Sequence, residues 1–108
     1  MRRGWMNLAT CYQVEFPDYL DGYEAETEAK GYLVGVVVSA GGRSFELTVY
    51  DRDRLTQEIN DELASDCSCF AVPNLLVVQS VTRSEILRAV ESLAKGDFRS
   101  LVSNSVEQ

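Results

Sequence analysis

Apolar and polar residues alternate cleanly from Asn7 to Phe16. Leu8, Thr10, Tyr12, Val14 and Phe16 point one way, and Ala9, Cys11, Gln13 and Glu15 the other. That period of two predicts a half-buried strand. Pro17 ends it, because proline donates no ladder hydrogen bond. Gly31 to Ala40 and Arg43 to Tyr50 predict a hairpin around Gly41-Gly42, whose glycines accept the positive φ of a tight primed turn. Pairing Ala40 with Arg43 sets Val38 opposite Phe45, Val36 opposite Leu47 and Val34 opposite Val49, all apolar and on one face. The other face pairs Val37 with Glu46, Gly35 with Thr48 and Leu33 with Tyr50. A slip of one residue would destroy this match, so the pattern specifies the register.

The period then changes. Leu55, Ile59 and Leu63 recur at helical spacing, which predicts a helix from about Arg52 to Ala64 with Asp51 or Asp53 as its cap. Leu75 to Val78 is a short apolar run suited to an interior strand covered on both faces. Thr82 and Glu85 form a capping box, with Val81 and Ile86 placed as its hydrophobic staple. Ile86, Leu87, Val90, Leu93 and Ala94 predict the buried stripe of a second helix, with Lys95 suited to its C-terminal dipole and Gly96 to a left-handed stop. Phe98, Leu101 and Val102 are expected to dock on the sheet. Glu24 to Lys30 is compatible with a helical turn or two but lacks a strong apolar period.

The resulting order is β-β-β-α-β-α. It predicts an α+β fold: a two-layer sandwich of a four-stranded mixed sheet, with two helices covering the Val34/Val36/Val38 face. A chain of 108 residues makes one domain, residues 1–108, with the ends at about 1–5 and 104–108 expected to fray.

Charge changes the picture in one place. The net charge is −7, and the stretch from Glu15 to Glu28 holds six carboxylates and no base. A second acidic stretch runs from Asp51 to Asp66. This balance opposes direct binding to nucleic acid or to an anionic membrane, both of which are polyanions. The longest apolar run, Tyr32 to Val38, is too short to span a bilayer. Met1 to Met6 has no apolar run behind it and does not read as a secretory signal. Three cysteines, an odd number, argue for a reducing compartment, and a cytoplasmic location is expected.

Candidate chemistry is sparse. Cys67-Ser68-Cys69 brings two thiols close in sequence, but a structural zinc site needs four ligands, and the chain offers one further cysteine and no histidine. Nucleophilic catalysis lacks its usual base. No catalytic residue, metal or cofactor is therefore expected, and the chain does not read as an enzyme. Trp5 is open to two readings, as a cap on the core or as part of a binding patch. Asp18, Tyr19, Asp21, Tyr23, Glu24 and Glu26 form the candidate partner-binding set. Carboxylates steer a basic partner towards them and aromatics supply contact area. A solvated loop with no partner is the plainer reading of the same segment.

From Leu33 to Leu93 the order of motifs resembles bacterial toxin-immunity proteins, most nearly the immunity protein 8 family. The resembling residues are the strand Phe45-Glu46-Leu47-Thr48-Val49-Tyr50 running into the helix at Leu55, and Leu75-Leu76-Val77-Val78 followed by Val81-Thr82 and the helix through Ile86 and Val90. The chain departs from the family pattern after Val49, where Tyr50-Asp51-Arg52 stands in place of a small residue and proline. The loop from Cys67 to Pro73 is a second departure. The resemblance implies a small cytoplasmic antidote that binds and neutralises a cognate toxin domain, and it carries over no binding residue by position. A basic toxin domain, such as a nuclease with a cationic cleft, suits the acidic segment. The alternative is an assembly module that forms a homodimer through a sheet edge.

Overall fold

A computed structural model describes residues 11–65 and 69–103 of the chain. The strands are β1 (Gln13–Glu15), β2 (Tyr32–Ala40), β3 (Arg43–Asp51) and β4 (Leu75–Val78). The helices are α1 (Glu24–Lys30), α2 (Arg52–Ala64) and α3 (Arg83–Lys95), and a 3-10 turn spans Asp18–Leu20. The strands form one sheet in the order β1-β2-β3-β4. The first two pairings are antiparallel and β3 with β4 is parallel. The sheet is therefore mixed and four-stranded, as expected.

The helix count is not as expected. Three helices stand where two were predicted, because Glu24–Lys30 is an α-helix of its own. Its apolar period is weak because it buries only Thr27. It is held instead by its end. Gly31 takes φ 70°, and its N–H reaches the carbonyls of Thr27 and Glu28. This left-handed stop satisfies carbonyls that the helix leaves open.

The hairpin register holds near the tip and fails further down. Val38 faces Phe45 and Val36 faces Leu47, but beyond them Val34 faces Thr48 and Leu33 faces Val49. The cause is a bulge at Gly35, which takes φ 88°. One extra residue in β2 switches the side chains below it to the other face. Leu33 consequently enters the core at 1% exposure, and Val34 is exposed. At the tip, Gly41 and Gly42 both take positive φ, as a primed turn requires.

The core joins Leu33, Val36, Val38, Phe45, Leu47 and Val49 of the hairpin to Ile86, Val90 and Ala94 of α3. Leu87, expected in that stripe, is exposed. No residue of α2 belongs to this core or is buried at all, and Leu63 lies open to solvent. α2 lies over the opposite face, where Arg54 covers the Tyr32 ring at 5.1 Å and Tyr32 packs on Tyr50 at 5.0 Å. Tyr50 and Val49 are neighbours on one strand, so their side chains take opposite faces. The expectation of two helices on one face is thus corrected in both number and placement. A helix of Leu55, Ile59 and Leu63 has too few apolar positions to seal a core. The tyrosine face asks less of it.

The starts of α2 and α3 follow the sequence closely. Asp51 accepts from the Arg54 N–H at 2.8 Å, and Thr82 Oγ1 accepts from the Glu85 N–H at 3.3 Å. At the end of α3, Gly96 is not left-handed. Asp97 and Phe98 take positive φ instead. That unusual backbone carries Phe98 into the core, stacked on Phe45 at 5.5 Å and edge-on to Tyr12 at 5.7 Å. Leu101 packs partly against the core, while the Val102 side chain is exposed. Asn74 clasps the Val102 backbone at both its N–H and its carbonyl.

The first strand, predicted over Asn7 to Phe16, is described in part. Its described pairing covers Gln13–Glu15, and residues 7–10 lie outside the described segments. The alternation holds where it is visible. Tyr12, Val14 and Phe16 pack on the core, and Cys11, Gln13 and Glu15 are exposed. Trp5, Asp66, Cys67, Ser68 and the expected fraying ends at 1–5 and 104–108 also lie outside the described residues.

Candidate functional site

The acidic segment is a ledge built on the end of the core. Leu20 is its anchor, buried at 3% exposure against the hairpin. The 3-10 turn that carries Leu20 closes through the Leu20 N–H to the Pro17 carbonyl at 3.0 Å and the Asp21 N–H to the Asp18 carbonyl at 3.1 Å. Tyr19 Oη donates to the Val34 carbonyl at 2.7 Å. That bond ties the ledge to the β2 residue just before the bulge at Gly35.

Arg83, at the start of α3, pins the ledge from the other side. Its Nη2 donates to Asp21 Oδ1 at 2.6 Å and to Glu24 Oε2 at 3.3 Å. Its guanidinium also lies 5.1 Å from the centre of the Phe16 ring, a cation–π contact. The Glu24 carboxyl titrates below its ordinary value of 4.5. The largest cause is a hydrogen bond from its own backbone N–H, opposed next by desolvation, and the Arg83 guanidinium and the Gly22 N–H lower it further. The Gly22 bond to Glu24 Oε1 measures 3.1 Å.

All six residues of the candidate set are exposed. They divide into two kinds. Asp21, Glu24 and Tyr19 are tied into the fold by the bonds above. Asp18, Tyr23 and Glu26 have side chains with no partner among the described residues, and Tyr23 is 60% exposed. Sequence reasoning missed Arg83, which lies 62 residues beyond Asp21. No local pattern marks a pairing at that separation. It missed Glu28 as well, although the spacing of Glu24, Thr27 and Glu28 on one face of α1 was readable.

Behind the ledge lies a cleft of about 310 Å³. Leu20, Leu33 and Val81 form its apolar floor, and Glu24, Glu28, Thr82, Arg83 and Ser84 its rim. The second acidic stretch does not simply extend this surface. At the junction with α1, Arg54 donates to the Lys30 carbonyl and pairs with Glu58 at 2.8 Å, which sets a cation between the two.

The described residues contain no group of three or more potential metal ligands. Cys69 is exposed, as is Cys11, and Cys67 lies outside the described segments. Among the described residues no helix is long and apolar enough to cross a membrane. A comparison with family models, curated proteins and solved structures finds no match to the chain.

Proposed function

We propose that the chain is an immunity-type inhibitor: a cytoplasmic antidote that binds the basic face of a cognate toxin domain and blocks it. One observation carries this reading. The acidic ledge is ordered by its own anchors, Leu20, Tyr19 and Arg83, yet it leaves Asp18, Tyr23 and Glu26 turned to solvent. A binding surface ordered before encounter loses less conformational entropy on docking. Its carboxylates accelerate encounter with a cationic cleft, and an exposed tyrosine supplies area at low entropic cost. Inhibition is stoichiometric and asks for no catalytic group in this chain.

The test is co-expression with the variable C-terminal domain of a secreted protein encoded immediately upstream. The chain restores growth, and the triple variant Asp18→Asn, Tyr23→Ala, Glu26→Gln does not. Because those side chains make no described contact, the variant keeps its melting temperature within the effect of about 0.5 kcal/mol usual for surface changes. A housekeeping operon in place of the toxin gene, or full rescue by the variant, overturns the reading.

A further inference from the structure

The ledge presents charge, but the cleft behind it presents charge over an apolar floor. We propose that this cleft receives one lysine side chain of the basic partner, an inference that rests on the reading of the chain as an acidic inhibitor. Its volume of about 310 Å³ is at the bottom of the range for small-molecule sites, which suits a single side chain better than a larger ligand. Leu20, Leu33 and Val81 line its depth, each no more than 3% exposed in total. They close its base with little accessible area of their own, so the four-carbon stem of a lysine would lie mainly along the carbon atoms of the rim side chains while its head stays polar.

The head group meets Glu28. Glu24 and Glu28 both line the rim, one helical turn apart. Glu24 is engaged by Arg83, whereas the Glu28 carboxylate has no partner among the described residues. The rim therefore holds one neutralised and one free carboxylate. The start of α3 also faces the cleft, and a helix N-terminus attracts anions. That end is already furnished with acid. Asp21 and Glu24 sit on Arg83, and Glu85 lies in the first turn. Lysine is favoured over arginine because a guanidinium gains most from stacking on an aromatic face, and no aromatic residue lines this cleft.

The experiment is a titration of the full chain followed through backbone amide NMR shifts, at constant ionic strength. The probes are n-butylammonium, n-butylguanidinium and butyrate, which carry a lysine-like stem with three different heads. Butylammonium should give saturable shifts centred on Leu20, Leu33, Val81 and Ser84. Glu28→Gln should weaken it about twofold to fivefold, the range of a single solvent-accessible ion pair. Ser84→Phe, at an exposed rim position, should close the mouth and abolish the saturable shifts with the fold intact.

Saturable binding of butyrate at these amides overturns the proposal, as does tighter binding of butylguanidinium. So does unchanged affinity in Glu28→Gln, or a response spread equally over Asp53, Asp61 and Glu91. The two readings fail separately. If the cleft ignores butylammonium while the Asp18/Tyr23/Glu26 variant still abolishes growth rescue, only the lysine pocket is lost. If the cleft binds the probe but no upstream domain is neutralised, the inhibitor reading is lost, and with it the partner lysine.

Discussion

Gly31 lies so close to the Asp51 carboxylate that a Cβ at position 31 would fall 2.6 Å from Asp51 Cγ. The two residues are also joined through the backbone, where the Asp51 N–H donates to the Gly31 carbonyl at 2.9 Å. One glycine thus ends α1, opens β2 and leaves room for the residue that caps α2. Glycine is required twice over, by φ 70° and by the carboxylate. Gly31→Ala should destabilise the fold by about 2–4 kcal/mol, combining left-handed strain with loss of the cap. Gly22→Ala is the control, since Gly22 shares the positive φ but has open space around it. It should cost about 1–2 kcal/mol. Equal losses in urea denaturation would show that the carboxylate contact contributes nothing.

Gly35 places the bulge, so its replacement tests the origin of the register shift. A Cβ there would meet only Pro17 side-chain carbons at 3.5 Å and beyond, an ordinary contact. The penalty should therefore come from φ 88° alone. Gly35→Asn should be milder than Gly35→Val, because asparagine tolerates positive φ and a β-branched residue does not. The expected costs are within about 1 kcal/mol for asparagine and about 2 kcal/mol or more for valine. Equal melting temperatures for the two variants would count against the bulge.

Arg83→Met should release the acidic ledge without unfolding the domain. The ion pairs are exposed, so the global loss should stay near or below about 1 kcal/mol. The local effect should be larger, with faster amide exchange at Asp21 and Tyr23. The pH dependence has a definite sign. Glu24 titrates below its ordinary value when folded, so the unfolded chain takes up the proton first as pH falls. The clasp's contribution is full above pH 4.5 and is lost as pH falls through the lower folded value. Arg83→Met should flatten that part of the acid profile. An unchanged profile would dissociate Arg83 from the titration of Glu24.

Tyr50 gives the opposite limb. Burial raises its pKa above the ordinary value of 10.0, with the neighbouring Tyr32 and Glu58 adding to the shift. As pH rises past 10.0 the unfolded chain gives up this proton before the folded one does. The native state then holds more protons, and stability falls with rising pH. Tyr50→Phe removes the group while keeping the ring against Tyr32 and Phe70. Its stability should decline less than that of the parent above pH 10. A parallel decline in the two proteins would exclude Tyr50 as the source.

Local pattern was sufficient to find the hairpin and the starts of α2 and α3, but not the Gly35 bulge or the way α3 ends. The two-residue alternation found the hairpin and its glycine turn. The cap signals located the starts of α2 and α3, with the structure choosing Asp51 over Asp53 for α2 and keeping Thr82 for α3. It was insufficient for α1, whose helical state depends on Gly31, Asp51 and Arg54 rather than on an apolar stripe. The acidic ledge was likewise legible as composition but not as structure. Nothing near Asp21 or Glu24 announces Arg83, and the pairing divides the candidate residues into anchors and free groups.

By itself the sequence determined that there are four strands, the parallel-capable β3-α2-β4 order and the sign of the surface charge, because periodicity, capping and ionisation act locally. Leu75–Val78, expected as an interior strand covered on both faces, is instead the β4 edge of the sheet with Val77 exposed, because strand order is set by tertiary pairing. Tertiary structure alone decided three things. The Gly35 bulge chose Leu33 over Val34 for the core, since a single left-handed residue reverses every side chain beyond it. The division of α2 and α3 between the two faces followed from which helix had enough apolar surface to close the core. The cleft between α1 and α3 exists because residues far apart in the chain, Leu20, Leu33 and Val81, meet beneath one acidic rim.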